Sequence, residues 1–576
     1  MPITSLARDG ERSGPAAITP GAGRWNRMSA DGCAQLQAAA CAILERTGVR
    51  VDHPDARRLL AAAGARVDAA DRVRIPAALV AEALAVAPKA LTLHDRLGRP
   101  AIAWGGETAW FGPGSDCPYV VDGRTGERRL ATLDDLRAGI ALVDALPNLA
   151  FAMSIFLPSD VDGRAADRHQ AVAMLTGTTK PLIVVTYELD GLRDVLAMAE
   201  AVAGGAGELA ARPSVAWYIN VTRGLLLDAD ALGRLLFLAE RGLPALWIPV
   251  TSGGTTGPVT VAGTLAVNHA GVLAGLVIAQ LVREGAPVVV PGFGGDALDL
   301  RTTVDPYVGP DPKGAAEALA HHLGLPMFSL GGGADSKVVD GQAAAEAAAA
   351  ILLDALAAGQ VTHDSGYLES GLAGSLPQLA ICDELVGWTR AATSPLDLSA
   401  EALALDLVDA VGPEGSFLEA DHTLAHYRSR WYPSLFDRRS RGAWAAAGWM
   451  RSSPTTRSHR RSRKRPRRSS AKSWPAPKPG PASDAAPPTD RAAPPRVAAG
   501  AVEAPHDAAR GVQWTRRDSR SCARPSPTAS RRRPRRPPGR RSRRGFRRSV
   551  SSTRRPCRPC ARSERGSPTG TCSCPT

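Results

Sequence analysis

The sequence changes character at Met450, and this change limits which part of the chain can fold around an apolar core. Residues 451–576 contain no Leu, Ile, Met or Tyr and a single Phe, Phe546. They carry 34 Lys+Arg against 6 Asp+Glu, which leaves 36 and 50 before them. The formal net charge of +14 therefore combines an acidic body with a strongly basic tail. A segment without large apolar side chains cannot bury enough surface to offset its ordering entropy, so we expect a disordered tail.

Two interpretations of the tail compete. As a basic arm, it would bind nucleic acid or another polyanion through phosphate contacts. As a shifted reading frame of a GC-rich gene, it would consist mostly of Arg, Pro, Ala, Gly and Ser, as this segment does. The complete loss of Leu favours the shifted frame, so nucleic-acid binding is the less favoured function.

The body before Met450 has the length of a single α/β barrel with an added N-terminal region. Its cysteines, at positions 33, 41, 117 and 382, have neither zinc-site nor disulfide-framework spacing, so we expect a reduced, cytoplasmic protein without a metal site. The first 27 residues lack an apolar run of signal-peptide length. The apolar run Val259–Val282 contains Asn268, His269 and Gln280, which favours a buried helix over a membrane span.

Hydrophobic periodicity divides the chain into four segments. We expect a disordered N-terminus over residues 1–27, and a helical cap followed by a β-hairpin over residues 28–128. The hairpin strands are 101–104 and 108–111, on either side of Gly105-Gly106. Residues 129–450 are expected to form the catalytic barrel and residues 451–576 the tail.

Apolar strand-like runs alternate with helical patterns from residue 130 onward. Near-continuous apolar strands between helices are typical of a parallel sheet covered on both faces. Their number and repeat length predict a (β/α)8 TIM barrel rather than an open doubly wound sheet. The predicted strands are Leu149–Phe156, Pro181–Tyr187, Ser214–Asn220, Ala245–Val250, Pro287–Gly292, Pro326–Leu330 and Gln360–His363.

In such a barrel the site forms from loops that follow the carboxyl ends of the strands. Several aromatic residues fall at these ends and, taken together, could form a cage for a quaternary ammonium, whose charge is favoured over aromatic faces. The alternative for any single one is packing against the outer helices. The candidates are Trp217, Tyr218, Trp247, Phe293, Phe328 and Tyr367.

Ordered motifs along residues 28–448 resemble the trimethylamine methyltransferase family. They begin with Phe111–Pro118 and Gly177–Pro181, continue with the Gly331–Ala343 and His363–Gly371 segments, and end with Trp431-Tyr432-Pro433 and Asp437-Arg438-Arg439. The resemblance implies a barrel that moves a methyl group from a methylated amine to the cobalt of a corrinoid (cobalamin) bound to a separate partner protein. It implies no cofactor bound by this chain itself.

The family has one branch that carries pyrrolysine in the barrel, in the region that here reads Ser329–Ser336. Only ordinary residues occupy this region, so the chain resembles the other branch, whose characterised members use quaternary amines such as glycine betaine. A quaternary ammonium already has a neutral amine as its leaving group, so the protein has mainly to position the substrate and exclude water.

Individual roles rest on position along the chain. Asp116 follows a Gly-Pro-Gly turn and either faces the cation or caps a helix. His363 either binds a substrate carboxylate or bonds to backbone, and Glu369 either balances the ammonium charge or forms a loop salt bridge. Gly332, Gly333 and Asp335 belong to a glycine run that permits close approach to a ligand. Asp116, Glu369 and His363 are the catalytic candidates, and the glycine-run residues join the aromatic set as substrate-binding candidates.

The leading hypothesis is therefore a methyltransferase acting on a betaine-like amine with a corrinoid-protein partner. We also expect a homo-oligomer and no membrane association, and nucleic-acid binding by the tail is the less favoured alternative. A barrel lyase or aldolase with Lys337 as a Schiff base, and a non-catalytic betaine-binding barrel, are the alternatives.

Overall fold

The computed structural model describes residues 17–21 and 23–446. The expectations for residues 1–16 and for the basic tail, including polyanion binding, fall outside this part of the chain.

Parallel strands form a closed barrel, as the sequence predicts. Seven of them lie in one sheet in the order β6-β15-β14-β13-β12-β10-β9, with every pairing parallel. Their bounds are β6 (Ala109–Pro113), β9 (Leu182–Val185), β10 (Val215–Val221), β12 (Ala245–Pro249), β13 (Val288–Pro291), β14 (Met327–Leu330) and β15 (Gln360–Ser365).

Residues 149–152 close the ring as an eighth parallel segment between β6 and β9. Leu149 pairs with Phe111, and Ala152 pairs with Leu182. Backbone bonds of 2.7 Å from Ala150 N–H to the Phe111 carbonyl and 3.0 Å from Ile183 N–H to the Ala152 carbonyl continue the ladder on both sides. The chain therefore has the (β/α)8 TIM-barrel fold.

A helix follows each of the eight segments, so the barrel is wrapped on its outside. Local sequence explains where several helices begin. Thr132 and Asp135 form a reciprocal capping box at the start of α4, and the Asp340 carboxylate accepts from Ala343 N–H at the start of α11. The eight are α4 (Leu133–Ala145), α5 (Ala166–Gly177), α6 (Leu189–Ala203), α8 (Ala229–Arg241), α9 (Val261–Val282), α10 (Ala315–Leu323), α11 (Gly341–Leu356) and α12 (Leu376–Thr393).

Helix α9 is the one described helix long and apolar enough to cross a membrane, yet 83% of that apolar window is buried within the protein. Two of the three polar residues named from the sequence have hydrogen-bond partners in the protein, His269 and Gln280. His269 Nε2 lies 2.6 Å from Gln37 Oε1, and Gln280 bonds to the backbone of Gly285 and Ala286. As expected, α9 is a core helix, packed between the barrel and the N-terminal region.

The N-terminal region is less helical than expected. Between α1 (Ala30–Arg46), α2 (Pro54–Ala62) and α3 (Ala77–Val86) lie β1 (Val49–Val51), β2 (Arg66–Val67) and β3 (Arg72–Arg74), which form a small sheet with β11 (Leu226–Leu227). The described residues before α1 are also ordered, contrary to the expectation of disorder over 1–27. Ile18 is buried and exchanges two backbone hydrogen bonds with Ala109.

The predicted hairpin is wrong in its partners. Strand β5 (Pro100–Trp104) pairs antiparallel with the preceding β4 (Leu91–His94), whereas β6 joins the barrel as its first strand. The physical reason lies in the turn between β4 and β5, where the Asp95 carboxylate accepts from Leu97 and Arg99 N–H groups. The barrel therefore begins before residue 129.

This hairpin closes the amino-terminal end of the barrel. Leu93, Ile102 and Trp104 are fully buried in one cluster with inward residues of the strands, such as Val289 and Phe328. The indole Nε1 of Trp104 donates to the Met327 carbonyl at 2.6 Å, at the start of β14. The barrel is consequently filled from below and open only at the carboxyl ends of its strands.

The remaining elements lie at the rim and near the C-terminus of the described chain. A second small sheet has the order β16-β17-β7-β8. Its strands are β7 (Tyr119–Val121), β8 (Arg128–Leu130), β16 (Tyr367–Leu368) and β17 (Ala373–Gly374), and the short helices are α7 (Ala206–Ala211), α13 (Ala400–Leu403), α14 (Leu405–Val411), α15 (Asp421–His426) and α16 (Arg441–Ala446).

Replacing Trp104 by Ala tests the role of the hairpin. We expect the free energy of unfolding to fall by about 3–5 kcal/mol, because a buried indole and its hydrogen bond are lost. Urea unfolding measures this loss, and Trp388→Ala, at a tryptophan that is 45% exposed, serves as the control with a loss below about 1 kcal/mol. Equal losses in the two variants would contradict the proposed plug.

Candidate functional site

A cavity of about 250 Å³ opens at the carboxyl ends of β12, β13 and β14, the end where barrel sites form. Its size suits a small metabolite rather than a large cofactor. Aromatic and apolar side chains share its walls with several ionisable ones. Those that matter below are Thr251, Ser252, Asn268, Phe293, Asp296, Asp305, Tyr307, Lys313, Glu317 and Leu330.

Four of the predicted residues meet beside this cavity, inside the barrel. His363 stacks on Phe328 with 4.1 Å between ring centroids, and Phe293 lies 5.7 Å from His363. Tyr218 packs edge-on to Phe328 at 5.9 Å. Each of these side chains occupies an inward position of its strand or the loop directly after it, so strand alternation explains the cluster.

Trp217 and Trp247 do not belong to this cluster, contrary to the expectation that they would join an aromatic cage. Both are fully buried in the layer between strands and helices. Trp247 donates its indole N–H to the Gly271 carbonyl at 3.0 Å and packs on Gly275 of α9. Successive strand residues face opposite sides, so Tyr218 inside the barrel places Trp217 outside it.

An aspartate and two tyrosines that lie above the aromatic cluster form a hydrogen-bonded wall. Asp364 is buried and accepts from the Tyr307 hydroxyl, and its Oδ2 lies 3.4 Å from His363 Nε2. Tyr367 donates to the Ser115 carbonyl at the end of β6. Burial raises the pKa of the Asp364 carboxyl, although the neighbouring His363 and the Tyr307 hydroxyl act in the opposite direction.

Sequence reasoning identified Tyr367 but missed Asp364 and Tyr307. Asp364 adjoins the predicted His363, so position at a strand end was an available signal. Tyr307 lies in the long loop after β13, where no periodicity predicts the direction of a side chain.

His363 is oriented by backbone. Its Nδ1 lies 2.6 Å from the Ser329 carbonyl oxygen, which can only accept, so Nδ1 carries a proton. This bond leaves Nε2 directed to the Asp364 carboxylate. The structural alternative considered for His363, a bond to backbone, is therefore present, and it fixes the ring on the face of Phe328.

Asp116 lies at the mouth of the barrel, after β6, with a positive φ of 63°. Its Oδ1 accepts from Gln170 Nε2 at 2.7 Å, from the Tyr187 hydroxyl at 3.2 Å and from Ser154 Oγ at 3.3 Å. Burial raises the pKa of the Asp116 carboxyl, against the effect of these donors. Asp116 is thus held in a network rather than at the lining of the cavity.

Several buried carboxyl groups surround Lys313 on the other wall of the cavity. The Lys313 ammonium donates to the Leu330 carbonyl at 2.7 Å and lowers the pKa values of Asp296, Glu317 and Asp354 through its charge. Burial nevertheless dominates, raising the pKa of Asp296 to about 6 and that of Glu317 to about 8. Burial thus favours the protonated form of both carboxyls, and the neighbouring Asp354 charge adds to this effect at Glu317.

Asp354, on α11, shares this environment. It accepts from Ser329 Oγ at 2.7 Å and from the Thr362 hydroxyl, which stabilise its ionised form. Glu317 lies next to Asp354, and its protonated form adds no second negative charge there. One proton shared by the pair thus avoids two buried negative charges in contact.

The glycine-run residues act on the loop that carries Tyr307. Asp335 accepts from Tyr307 N–H at 2.9 Å and from Ser370 Oγ at 2.7 Å. The Tyr307 ring packs on Gly333, where an added Cβ would lie 3.0 Å from it. Gly332 has a φ of 98°, a conformation that favours glycine. These residues position Tyr307 rather than line the cavity themselves.

Two other candidates lie away from the cavity. Glu369 pairs with Arg128 at 2.6 Å, which is the loop salt bridge considered as its alternative. Lys337 is exposed, and its ammonium donates to the Asp335 carbonyl, so the placement of Lys337 does not support a Schiff base in the barrel. Among the residues that the structure describes, no group of three or more His, Cys, Asp or Glu could hold a metal ion.

Comparisons with known proteins identify the family of this chain. The trimethylamine methyltransferase (MTTB) family model matches residues 7–465. Trimethylamine methyltransferase MttB of Desulfitobacterium hafniense is 30% identical over 411 residues, covering 70% of this chain and 82% of the relative. MttB of Methanosarcina barkeri is 31% identical over 442 residues, covering 73% and 87%.

A glycine betaine methyltransferase and one solved structure are also similar to this chain. Glycine betaine methyltransferase of Desulfitobacterium hafniense is 27% identical over 428 residues, covering 73% of this chain and 89% of the relative. The solved structure of Methanosarcina barkeri monomethylamine methyltransferase aligns with a TM-score of 0.44 and 10% identity, covering 72% of this chain and 88% of that one. With a family model matched over most of its length, this chain belongs to the trimethylamine methyltransferase family and is a methyltransferase.

Proposed function

We propose that this protein transfers a methyl group from a quaternary or tertiary methylated amine, of which betaines are the first candidates, to the Co(I) of a cognate corrinoid protein. The observation that carries the proposal is the composition of the cavity. Phe293 and Tyr307 supply aromatic faces, and the carboxylates of Asp296 and Asp305 lie in the same walls. An alkylammonium is attracted to both, because its charge is diffuse and its methyl surface is apolar.

Methyl transfer from an ammonium requires little acid or base catalysis by the side chains of this protein. When a nucleophile takes a methyl group from a quaternary ammonium, the C–N bond pair returns to nitrogen and a neutral tertiary amine leaves. A tertiary amine would react in its protonated form and leave as a neutral secondary amine. The side chains have therefore to hold the cation, orient one methyl group outward and keep water away from it.

The corrinoid, when present on its partner, supplies the cobalt nucleophile. A cavity of about 250 Å³ accommodates a small amine but not a corrin ring, which supports placing the corrinoid outside the barrel, over the mouth. The hairpin that fills the opposite end leaves the mouth as the route of approach. The four cysteines within the described residues are free thiols, which supports a cytoplasmic location.

Replacing Phe293 by Leu tests the proposal with little change in apolar volume. We expect kcat/KM for methyl transfer from a quaternary amine to fall at least about tenfold, because an aromatic face over the cation is lost. The assay mixes the full chain, the amine and a reduced corrinoid protein and quantifies the demethylated amine.

The matched control is Phe237→Leu. Phe237 lies on α8, outside the barrel, so its replacement should leave kcat/KM within about twofold. Equal effects of the two substitutions would contradict the proposed site, and absence of transfer by the unaltered protein would contradict the proposed function.

The pH dependence of binding follows from Asp296. Its pKa of about 6 means that the carboxylate is present above pH 6 and lost below it. Because a quaternary ammonium keeps its charge at every pH, we expect its affinity to decrease as pH falls from 7 to 5, and Asp296→Asn to remove this dependence. Calorimetric titration at several pH values measures both. If the affinity of Asp296→Asn still decreases as pH falls, a group other than Asp296 causes the pH dependence.

We also propose that the protein is a homo-oligomer that associates through residues 396–427. The helices α13, α14 and α15 bury no residue within the described chain. Their surroundings expose Leu396, Leu398, Leu418 and Leu424 by 70–86%. The segment after residue 450 has no Leu, Ile or Met that could cover these leucines. The same exposed leucines of a second copy could cover them.

Sedimentation equilibrium tests this assembly. We expect the unaltered chain to sediment as a dimer or larger, and Leu418→Glu combined with Leu424→Glu to shift it to monomers. Leu97→Glu, at a leucine that is 63% exposed elsewhere on the surface, should not change the mass. A monomeric unaltered chain at micromolar concentration would contradict the assembly.

A further inference from the structure

We infer that the outer face of the small N-terminal sheet binds an acidic segment of a partner protein. The strands β1, β2 and β3 form this face, which is called the arginine face below. The inference goes beyond the proposed function and does not depend on it. The residues on the face, the pairing of their charges and the attachment of the sheet to the barrel support it.

Every outward residue of these three strands is an arginine. The inward residues Val49, Val51 and Val73 are fully buried, so strand alternation turns their neighbours toward solvent. Val67 of the edge strand β2 lies opposite Val73 and therefore belongs to the inner side. The arginines are Arg50 on β1, Arg66 on β2, and Arg72 and Arg74 on β3.

The arginines lie directly opposite one another across the strands. Arg50 is paired with Arg72, and Arg66 is paired with Arg74. Like charges at opposite positions of a sheet are destabilising. Composition does not account for them, because acidic residues outnumber basic ones by 50 to 36 over residues 1–450. An array that is unfavourable for folding becomes favourable when an anion lies on it.

The sheet supplies fewer carboxylates than guanidinium groups. The ion pairs on the face are Arg50–Asp52 at 2.7 Å and Arg74–Asp68 at 3.3 Å. Arg66 and Arg72 are exposed and have no carboxylate partner within the described chain. Two guanidinium groups are thus available to a partner. The basic residues 451–576 cannot supply the missing carboxylates.

The face suits a short acidic protein segment better than a nucleic acid or a membrane. Each cation on it is a guanidinium, which can donate two parallel hydrogen bonds to one carboxylate. Nucleic-acid sites combine a longer row of cations with aromatic side chains on which bases stack, and the arginine face has no aromatic residue. It also has no Leu, Phe or Trp that could enter a lipid surface.

The sheet is attached to the barrel at the end where the cavity opens. Strand β1 pairs in parallel with β11, which lies in the loop after β10. A backbone bond of 2.9 Å from Arg50 N–H to the Leu225 carbonyl is part of this attachment. A partner bound to the arginine face is therefore held at the same end of the barrel as the cavity.

Chemical modification of the full chain, measured residue by residue, tests the inference. Phenylglyoxal modifies exposed arginines, and peptide mass spectrometry gives the rate at each position, which separates the face from the basic tail. We expect poly-L-glutamate to slow the modification of Arg66 and Arg72 at least about fivefold, because bound carboxylates shield the guanidinium groups. Arg124, an exposed arginine in the turn between β7 and β8, should be slowed less than about twofold.

Substitution on the face gives a second readout. Arg66→Gln should weaken the protection of Arg72 by poly-L-glutamate, whereas Arg124→Gln should leave this protection unchanged. Arg66→Gln should also not lower the Tm, because it removes one of two opposed charges. A lower Tm in Arg66→Gln would show that the arginine serves the fold and would contradict the inference.

Equal slowing at Arg66, Arg72 and Arg124 would overturn the inference. Stronger protection by a single-stranded oligothymidylate, or by vesicles that contain phosphatidylserine, would assign the face to another class of partner and would also overturn it. So would protection of Arg72 that increases with the concentration of the chain alone, because the occupant would then be a second copy. None of these results depends on methyl transfer, so the proposed function is tested separately.

Discussion

The pairing of β6 with β15 and with residues 149–152 is the constraint on which the rest of the structure depends. Until this ring closes, the two ends of the barrel sequence lie apart in the chain. Closure brings the loop after β6, with Ser115, against Tyr367 after β15. The same closure gives the hairpin β4–β5 an enclosed end to fill, so that the interior opens on one side only.

The mouth of the barrel combines aromatic faces with more buried acid than one lysine can balance. Lys313 interacts with the surrounding carboxyls, while burial raises the pKa of Glu317 and raises the pKa of Asp296 to about 6. A cation entering this cavity replaces the missing positive charge. Charge balance and ring placement therefore favour the same ligand class, although they arise from different elements of the fold.

Sequence patterns predicted the barrel because buried parallel strands leave continuous apolar runs, and they located most barrel strands to within two residues. The same patterns assigned β6 to a hairpin, because the sequence of a short strand after a Gly-Gly pair does not show which strand it pairs with. Periodicity also could not assign a direction to Trp217 and Trp247. One residue of register decides whether a strand side chain faces the barrel or the helices.

The proposed role of the cavity at the barrel mouth is to present a methylated ammonium for transfer to a corrinoid protein. The most direct measurement combines the full chain, a quaternary amine and a corrinoid protein in its Co(I) state, and quantifies the demethylated amine over time. We expect catalytic formation of this amine that requires the chain and declines in Phe293→Leu. No product above the reaction without the chain, across quaternary and tertiary amines, would contradict it.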